Sequence, residues 1–473
     1  AQVAQGHVCL DTSLTDVRLL LPALLRQSEA AGVLTDYFAS QPLPQLLPQL
    51  LAQLIAQADA AGALPGDQGE PALRGRDLQT ALLQRWPDDD SDLTERAVRP
   101  FVWRGSRLYL WRYACAEQQI SHYIRRARQY PLSAQAVQSA RQVLLQLFPA
   151  DASTQAQVAP DSAPDWQLQA CALAFARAFV VITGGPGTGK TTTVTKLLLL
   201  LLSQQPDLEI LLAAPTGKAA ARLTESISQS AGQFRQHGSV AADLVASQKA
   251  VTVHRLLAPK ADGSGFHFGV GRYLPADVVI VDEASMLDIT LFAALLAALS
   301  PQCRLILLGD KDQLASVEAG AVLSELCAHA QEGRYSTQTA QLLQALTGQS
   351  LPALYCSASP DPLDQQVVML RVSHRFASDS GIGALARLIN SGDSRGASQL
   401  LAQGLADLQQ LQLSSPSDLT DFILQQLQPY LTEAAAVLSA ADAAASAARL
   451  HQLASRFQLL TALRHGPDGS EQL

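Results

Sequence analysis

The chain has 473 residues, 48% apolar and 16% charged, with a formal net charge of −8, a composition that fits about three soluble globular domains. The apolar run after the glycine-rich motif, Leu197–Leu202, is far short of the roughly 18 residues of a membrane span, and no basic-then-apolar stretch opens the chain, so a cytoplasmic location is expected. The acidic balance weighs against non-specific coating of nucleic acid, and six cysteines without a C-x-x-C pair argue against a zinc site or a disulfide framework.

Residues 1–130 carry Leu, Ala and Gln at helical spacing, hold no lysine and nearly balance acids with arginines. They predict a separate helical domain, and its near-neutral surface suits a partner protein better than phosphates. Within it, the run from Arg99 to Trp111 reads as two short strands about a Gly105-Ser106 turn. The aromatics Trp103, Tyr109 and Trp111 fit a small core at least as well as a binding surface. Residues 131–163 read as a helix followed by a Ser/Ala/Pro/Asp linker.

From Trp166 apolar strand runs alternate with helices, the strands being expected at Phe179–Thr183, Ile210–Ala214, Val278–Val281, Arg304–Leu308 and Val367–Leu370. Such alternation predicts a parallel sheet covered by helices. The expected first lobe covers 164–330 with an inserted subregion at about 225–275. Residues 331–363 are expected to connect it to a partial second lobe over 364–473.

The first apolar run leads into Gly184-Gly185-Pro186-Gly187-Thr188-Gly189-Lys190-Thr191, the strand, loop and helix context of a phosphate-binding loop. Glycines let the backbone N–H groups face phosphates, Lys190 reaches the β and γ oxygens, and the Thr191 hydroxyl suits Mg²⁺. Only six of the 34 basic residues are lysine, and Lys190, Lys218 and Lys311 all fall in motifs, where a compact ammonium differs from a planar guanidinium.

The strand Val278–Val281 ends in Asp282-Glu283, the acidic pair expected beside such a loop. Asp282 then meets the metal through its water shell and Glu283 polarises the attacking water; a solvated strand end is the competing reading of the pair taken alone. The strand Arg304–Leu308 ends in Gly309-Asp310-Lys311-Asp312-Gln313-Leu314, where the Gln313 amide suits a γ-phosphate sensor. Pro215, Thr216 and Lys218 in one loop, and Thr252 and His254 in another, offer hydroxyls and cations suited to a nucleic-acid backbone. For His254 alone a packed or capping role is the stronger reading.

The ordered series Gln167, GGPGTGKT, APTGKAA, TVHRLL, VDEAS, GDKDQL and Leu370-Arg371-Val372-Ser373-His374-Arg375-Phe376 resembles the motifs of superfamily-one helicases of the 5′-to-3′ class. Within that class the chain resembles the RecD family, the alpha subunits of exodeoxyribonuclease V (RecBCD). Gly6-His7-Val8-Cys9-Leu10, Asp165-Trp166-Gln167 and Gly381-Ile382-Gly383-Ala384-Leu385-Ala386 carry that closer likeness.

The resemblance implies two RecA-like lobes, ATP and Mg²⁺ as cofactors, single-stranded and duplex-end DNA, and RecB-like and RecC-like partners in a heterotrimer. It implies that Gln167 reads adenine and Arg375 acts as an arginine finger on the γ-phosphate. The implied function is an ATP-dependent DNA helicase subunit in double-strand break repair and recombination. A nucleotide-switch scaffold without unwinding of its own is the alternative, and the Gln313 segment disfavours a small-molecule kinase. The family's later motifs do not occur before Leu473, so the chain is expected to be a fragment with an incomplete second lobe.

Overall fold

A computed structural model describes residues 9–11, 83–85, 101–104, 107–126, 132–149, 164–235, 240–313, 320–374, 380–411, 416–438, 443–466 and 469–471. The described chain divides into two compact units, Ala1–Arg375 and Phe376–Leu473.

The first unit is built on a six-stranded, all-parallel sheet. Its strands are β5 (Phe179–Gly184), β6 (Ile210–Ala214), β7 (Ala250–Thr252), β8 (Val278–Val281), β9 (Arg304–Gly309) and β10 (Val367–Leu370), in the spatial order β10-β5-β9-β8-β6-β7. Apart from the half-buried edge strand β7, the strands are apolar runs because both faces are covered. Side chains alternate between faces, and the two cores record that alternation. Val180, Ile182, Ile280, Ile306 and Leu308 enter one core. Phe179, Val181, Val279, Val281, Leu305 and Leu307 enter the other. The first unit therefore has an α/β architecture, a parallel sheet with helices on both faces.

The first face carries helices α2 (Ala134–Leu147), α3 (Trp166–Ala176), α4 (Lys190–Gln204), α5 (Gly217–Arg235), α6 (Val240–Ser247) and α10 (Thr337–Thr347). The second carries α1 (Trp111–Arg126), α7 (Val253–Leu257), α8 (Ile289–Ala297) and α9 (Val322–Leu326).

Three expected boundaries differ from the structure, each for a reason of packing. The strand Val367–Leu370 was expected in a second lobe. It instead pairs in parallel with β5, Val367 opposite Val181 and Leu370 opposite Gly184, as the edge of the first sheet. Residues 331–363 were expected to form a surface connection. They hold α10, whose Leu343 and Leu346 are buried, and Tyr335, whose hydroxyl donates to the Val367 carbonyl at 2.7 Å. That bond ties the segment to β10.

The expected independence of residues 1–130 also fails at its end. Helix α1 sends Tyr113, Ala116 and Ile120 into the second core, and the Tyr123 ring meets Phe179 edge-on at 5.8 Å. The described remainder of that region is a small sheet of β1 (Cys9–Asp11), β2 (Leu83–Arg85), β3 (Phe101–Arg104) and β4 (Arg107–Leu110). The two strands expected about Gly105-Ser106 are β3 and β4, paired antiparallel. Gly6, His7, Val8 and most of the predicted N-terminal helices lie outside the described residues, as does the expected linker from residue 150 to 163.

The second unit consists, among its described residues, of helices: Gly381–Asn390, Ser394–Leu401, Pro416–Leu438 and Ala443–Ala454. Asp407 organises the first of them, accepting from the Ser380 hydroxyl at 2.9 Å and from the Gly381 and Ile382 N–H groups at 3.2 and 3.1 Å. Those bonds hold its carboxyl below the usual range.

Four cysteines, Cys115, Cys171, Cys303 and Cys327, are buried as thiols, and Cys356 is exposed. Burial pushes Cys303 and Cys327 up to about 12. Among the described residues no helix is long and apolar enough to cross a membrane.

Candidate nucleotide and nucleic-acid site

A parallel sheet delivers the carboxyl ends of all its strands to one edge, so motifs far apart in sequence meet there. The glycine-rich loop follows β5, Pro215 to Lys218 follow β6, Thr252 and His254 follow β7, Asp282 and Glu283 follow β8, Asp310 to Gln313 follow β9, and Arg371 to His374 follow β10.

The loop from Gly184 to Gly189 is shaped by its own sequence. Gly187 and Gly189 adopt φ of 78° and 82°, a left-handed conformation that a Cβ disfavours. A Cβ on Gly184 would stand 2.8 Å from Thr188 Oγ1 and 2.9 Å from the Leu370 Cβ, so this glycine lets the loop leave the sheet against β10. The Thr188 hydroxyl donates to the Gly185 carbonyl at 2.9 Å and closes the turn. Gly189 caps α4 without a side-chain bond, which leaves the first N–H groups of that helix open toward an anion.

Lys190 curls over the loop and donates to the carbonyls of Gly184 at 2.6 Å and Gly185 at 3.3 Å. Among the described residues no carboxylate forms an ion pair with it, so its charge stays within the loop. Thr191 is half-buried on the first turn of α4.

Asp282 is half-buried at the end of β8. Burial raises its carboxyl to about 6, with the Glu283 charge adding to the rise, while the Glu283 N–H bond at 2.9 Å and the Lys190 ammonium oppose it. Glu283 takes φ of 53°, uncommon for a residue with a Cβ, and so turns the chain sharply after the strand. Ser285, two residues on, donates its hydroxyl to the Gln313 amide oxygen at 3.2 Å and joins the β8 end to the β9 loop.

That second loop is anchored at several points. The Lys311 N–H donates to Thr183 Oγ1 on β5 at 3.1 Å, and the Ser324 hydroxyl donates to the Lys311 carbonyl at 2.7 Å. Asp310, only 4% exposed, accepts from the Asp312 N–H at 3.1 Å; burial raises its carboxyl, and that bond and Lys190 oppose the rise.

The residue expected at the base, Gln167, sits on the first turn of α3. Its N–H and that of Leu168 are capped by Asp165 Oδ1 at 2.9 and 3.2 Å. The side-chain amide donates to the Thr188 carbonyl at 3.1 Å, and a Cβ on Gly189 would strike it. Gln167, Lys190, Asp282 and Gln313 thus converge with the loop on one edge of the sheet. Arg375 lies outside the described residues.

The residues expected to meet nucleic acid share the same edge, farther along on β6 and β7. Both threonine hydroxyls there have helix-capping work: Thr216 accepts from Ala219 N–H at 3.2 Å and Thr252 from Arg255 N–H at 3.1 Å. Pro215 is half-buried, while Lys218 and His254 are exposed, and the His254 ring lies 6.0 Å from that of Phe266.

Sequence reasoning missed three residues that the geometry brings to the loop. Asp310 was visible inside its motif but was passed over for Gln313. Ser373 and His374 lay inside the motif read for Arg375, but their approach to the loop depends on β10 pairing with β5.

The mineral half of a nucleoside triphosphate complex fits this donor set. A desolvated carboxylate with a raised pKa faces a loop of open N–H groups and a lysine, so a dication bound to phosphate would relieve the cost of keeping Asp282 charged.

Comparison with known proteins agrees with this arrangement. A family described as an AAA domain matches residues 167–319. The RecBCD enzyme subunit RecD of Haemophilus influenzae is 40% identical over 299 residues, covering 62% of this chain and 45% of that protein. The RecBCD enzyme subunit RecD of Mycolicibacterium smegmatis is 37% identical over 337 residues, covering 67% of this chain and 50% of that protein. An ATP-dependent RecD2 DNA helicase of Deinococcus radiodurans is 44% identical over 147 residues, 31% of this chain and 17% of that protein. The chain thus spans about half the length of the RecD subunits it matches.

Proposed function

We propose that this chain, similar to RecD subunits over 62–67% of its length, is the nucleotide-hydrolysing part of an ATP-dependent 5′-to-3′ DNA helicase. On this reading the intact protein works in the cytoplasm in a helicase–nuclease complex with RecB-like and RecC-like partners, in double-strand break repair and recombination. Its DNA substrates are single strands and duplex ends. The observation that supports it most is the gathering of six motif loops on one edge of a single parallel sheet, with Lys190 close enough to Asp282 to oppose its rise.

The division of labour follows from chemistry. Lys190 and the loop N–H groups offset charge on the β and γ phosphates, and these fixed dipoles need no reorganisation as charge develops. Thr191, and Asp282 through a water, would hold Mg²⁺, which would supply charge neutralisation at the phosphates. Glu283, carried beyond Asp282 by its left-handed turn, positions the attacking water and takes its proton.

Gln313 senses the γ-phosphate, and its bond from Ser285 links that sensor to the acidic strand end. Gln167 meets the adenine, and Arg375 serves as the arginine finger. Pro215, Thr216, Lys218, Thr252 and His254 lie along the path of the DNA backbone, with Lys218 and His254 the exposed groups. The experiment is ATP turnover by the full-length protein with and without single-stranded DNA. Acceleration by DNA supports a motor; nucleotide binding with DNA-independent turnover favours the nucleotide-switch scaffold.

A further inference from the structure

Three successive carbonyls of the phosphate loop accept hydrogen bonds from outside the loop. The Ser373 hydroxyl donates to Pro186 O at 3.1 Å, the His374 backbone N–H donates to Gly187 O at 2.8 Å, and the Gln167 amide donates to Thr188 O at 3.1 Å. In a planar trans peptide the C=O and the next N–H point in opposite directions. Fixing a carbonyl outward therefore fixes the following N–H inward, on Gly187, Thr188 and Gly189 in turn. The Thr188 N–H has a long bond to Gly185 O at 3.4 Å, which spares the Gly187 and Gly189 donors.

The segment that makes two of these bonds is itself anchored. It leaves β10 at Leu370, and Arg371 donates to the Ala330 carbonyl at 3.0 Å. The same guanidinium stacks on the Trp166 ring at 4.6 Å and the Tyr355 ring at 4.5 Å, and those two rings meet edge-on at 4.8 Å. Trp166 adjoins Gln167, so one aromatic and cationic cluster holds both sources of the loop's outside bonds. His374 Nε2 also lies 3.5 Å from the Gln167 amide nitrogen, where the strap and helix α3 come together over the loop.

We propose that Ser373 and His374 are positioning residues of the phosphate loop, a strap from the edge strand β10 that turns its carbonyls outward and so sets its affinity for a nucleoside triphosphate. The proposal rests on the reading of this loop as the nucleotide site. Neither residue touches the reacting atoms; both act on the direction of the loop's N–H groups. Loss of one tether weakens binding of the triphosphate and leaves the rate at saturation unchanged, because Lys190 and Glu283 are untouched.

The test uses the full-length protein, titrated with a fluorescent ATP analogue in the presence of Mg²⁺, alongside steady-state hydrolysis. Ser373→Ala is expected to raise the dissociation constant and KM about fivefold, the effect of one neutral hydrogen bond, with kcat within about twofold of wild type and an unchanged melting temperature. Ser373→Thr, which keeps the hydroxyl, is expected to restore affinity. Wild-type affinity in the alanine variant, a fall in kcat without a rise in KM, or failure of threonine to rescue would each overturn the proposal. Absence of analogue binding by the wild type would instead overturn the nucleotide site itself, and this proposal with it.

Discussion

The Ser285 hydroxyl donates to the Gln313 amide oxygen at 3.2 Å, across 28 positions of sequence. The bond fixes which end of the amide faces away from Ser285, so the NH₂ group remains to meet an anion. Ser285→Ala should therefore lower DNA-stimulated turnover about fivefold while leaving ATP affinity near wild type, since one neutral hydrogen bond contributes about 1 kcal/mol. Equal turnover in the variant, measured at saturating ATP, would detach Gln313 from catalysis.

Lys190→Gln and Glu283→Gln are expected to fail in different ways. The first removes the charge that offsets phosphoryl transfer, so hydrolysis should be lost with the fold intact by circular dichroism. The second spares the phosphate loop and should retain ATP binding while stopping hydrolysis. If Glu283→Gln lost binding and turnover equally, Glu283 would be a structural residue holding the turn after β8.

The raised carboxyl of Asp282 makes a pH-dependent claim about the protein free of metal and nucleotide. Its folded pKa of about 6 lies above the ordinary 3.8, so protonation gives the folded state a stability gain that is full below 3.8 and shrinks between those values, where the folded state binds more protons than the unfolded chain. That gain is lost as pH rises through 6. In the presence of a chelator, the stability contribution of Asp282 should fall by about 1–3 kcal/mol from pH 4 to pH 7. Asp282→Asn should flatten this dependence and raise the melting temperature at pH 7. A variant no more stable than wild type at pH 7 would show that the carboxylate is well solvated.

Two truncations separate the small N-terminal sheet from the six-stranded sheet. Removing residues through Leu110 leaves helix α1 in place, and the first unit should remain folded. Removing residues through Tyr130 takes Tyr113, Ala116 and Ile120 out of the second core and uncovers Phe179. Burial of one such aliphatic side chain contributes about 1.5–3 kcal/mol, so the longer truncation should aggregate or melt far lower. Similar melting curves for both would mean that α1 is dispensable to the core.

The legible parts of this chain were those written locally. The phosphate loop, the acidic pair and the strand runs each combine a short motif with its own apolar flank, and all five expected strands are present in one sheet. The short strand Ala250–Thr252 escaped notice because it is a half-buried edge with no apolar run. What depended on distant partners was read less well. Helix α10 looked like polar connection because Gln338, Gln341 and Gln344 cover its outer face, while Leu343 and Leu346 face the core.

Likewise, nothing in Val367–Leu370 itself says which sheet it joins; its pairing with β5 and the Tyr335 bond decide that. The same non-local pairing brings Ser373 and His374 to the loop. Gln167 was placed by resemblance, and its contact with Thr188 O depends on helix α3 packing beside the loop.

On the proposed function, this edge of the sheet couples ATP hydrolysis to DNA. The most direct measurement is the steady-state rate of ATP hydrolysis by the full-length protein, with and without a long single strand, in wild type and Lys190→Gln. The rate should rise with DNA in the wild type and be absent from the variant under both conditions. Hydrolysis indifferent to DNA, or retained in Lys190→Gln, would contradict it.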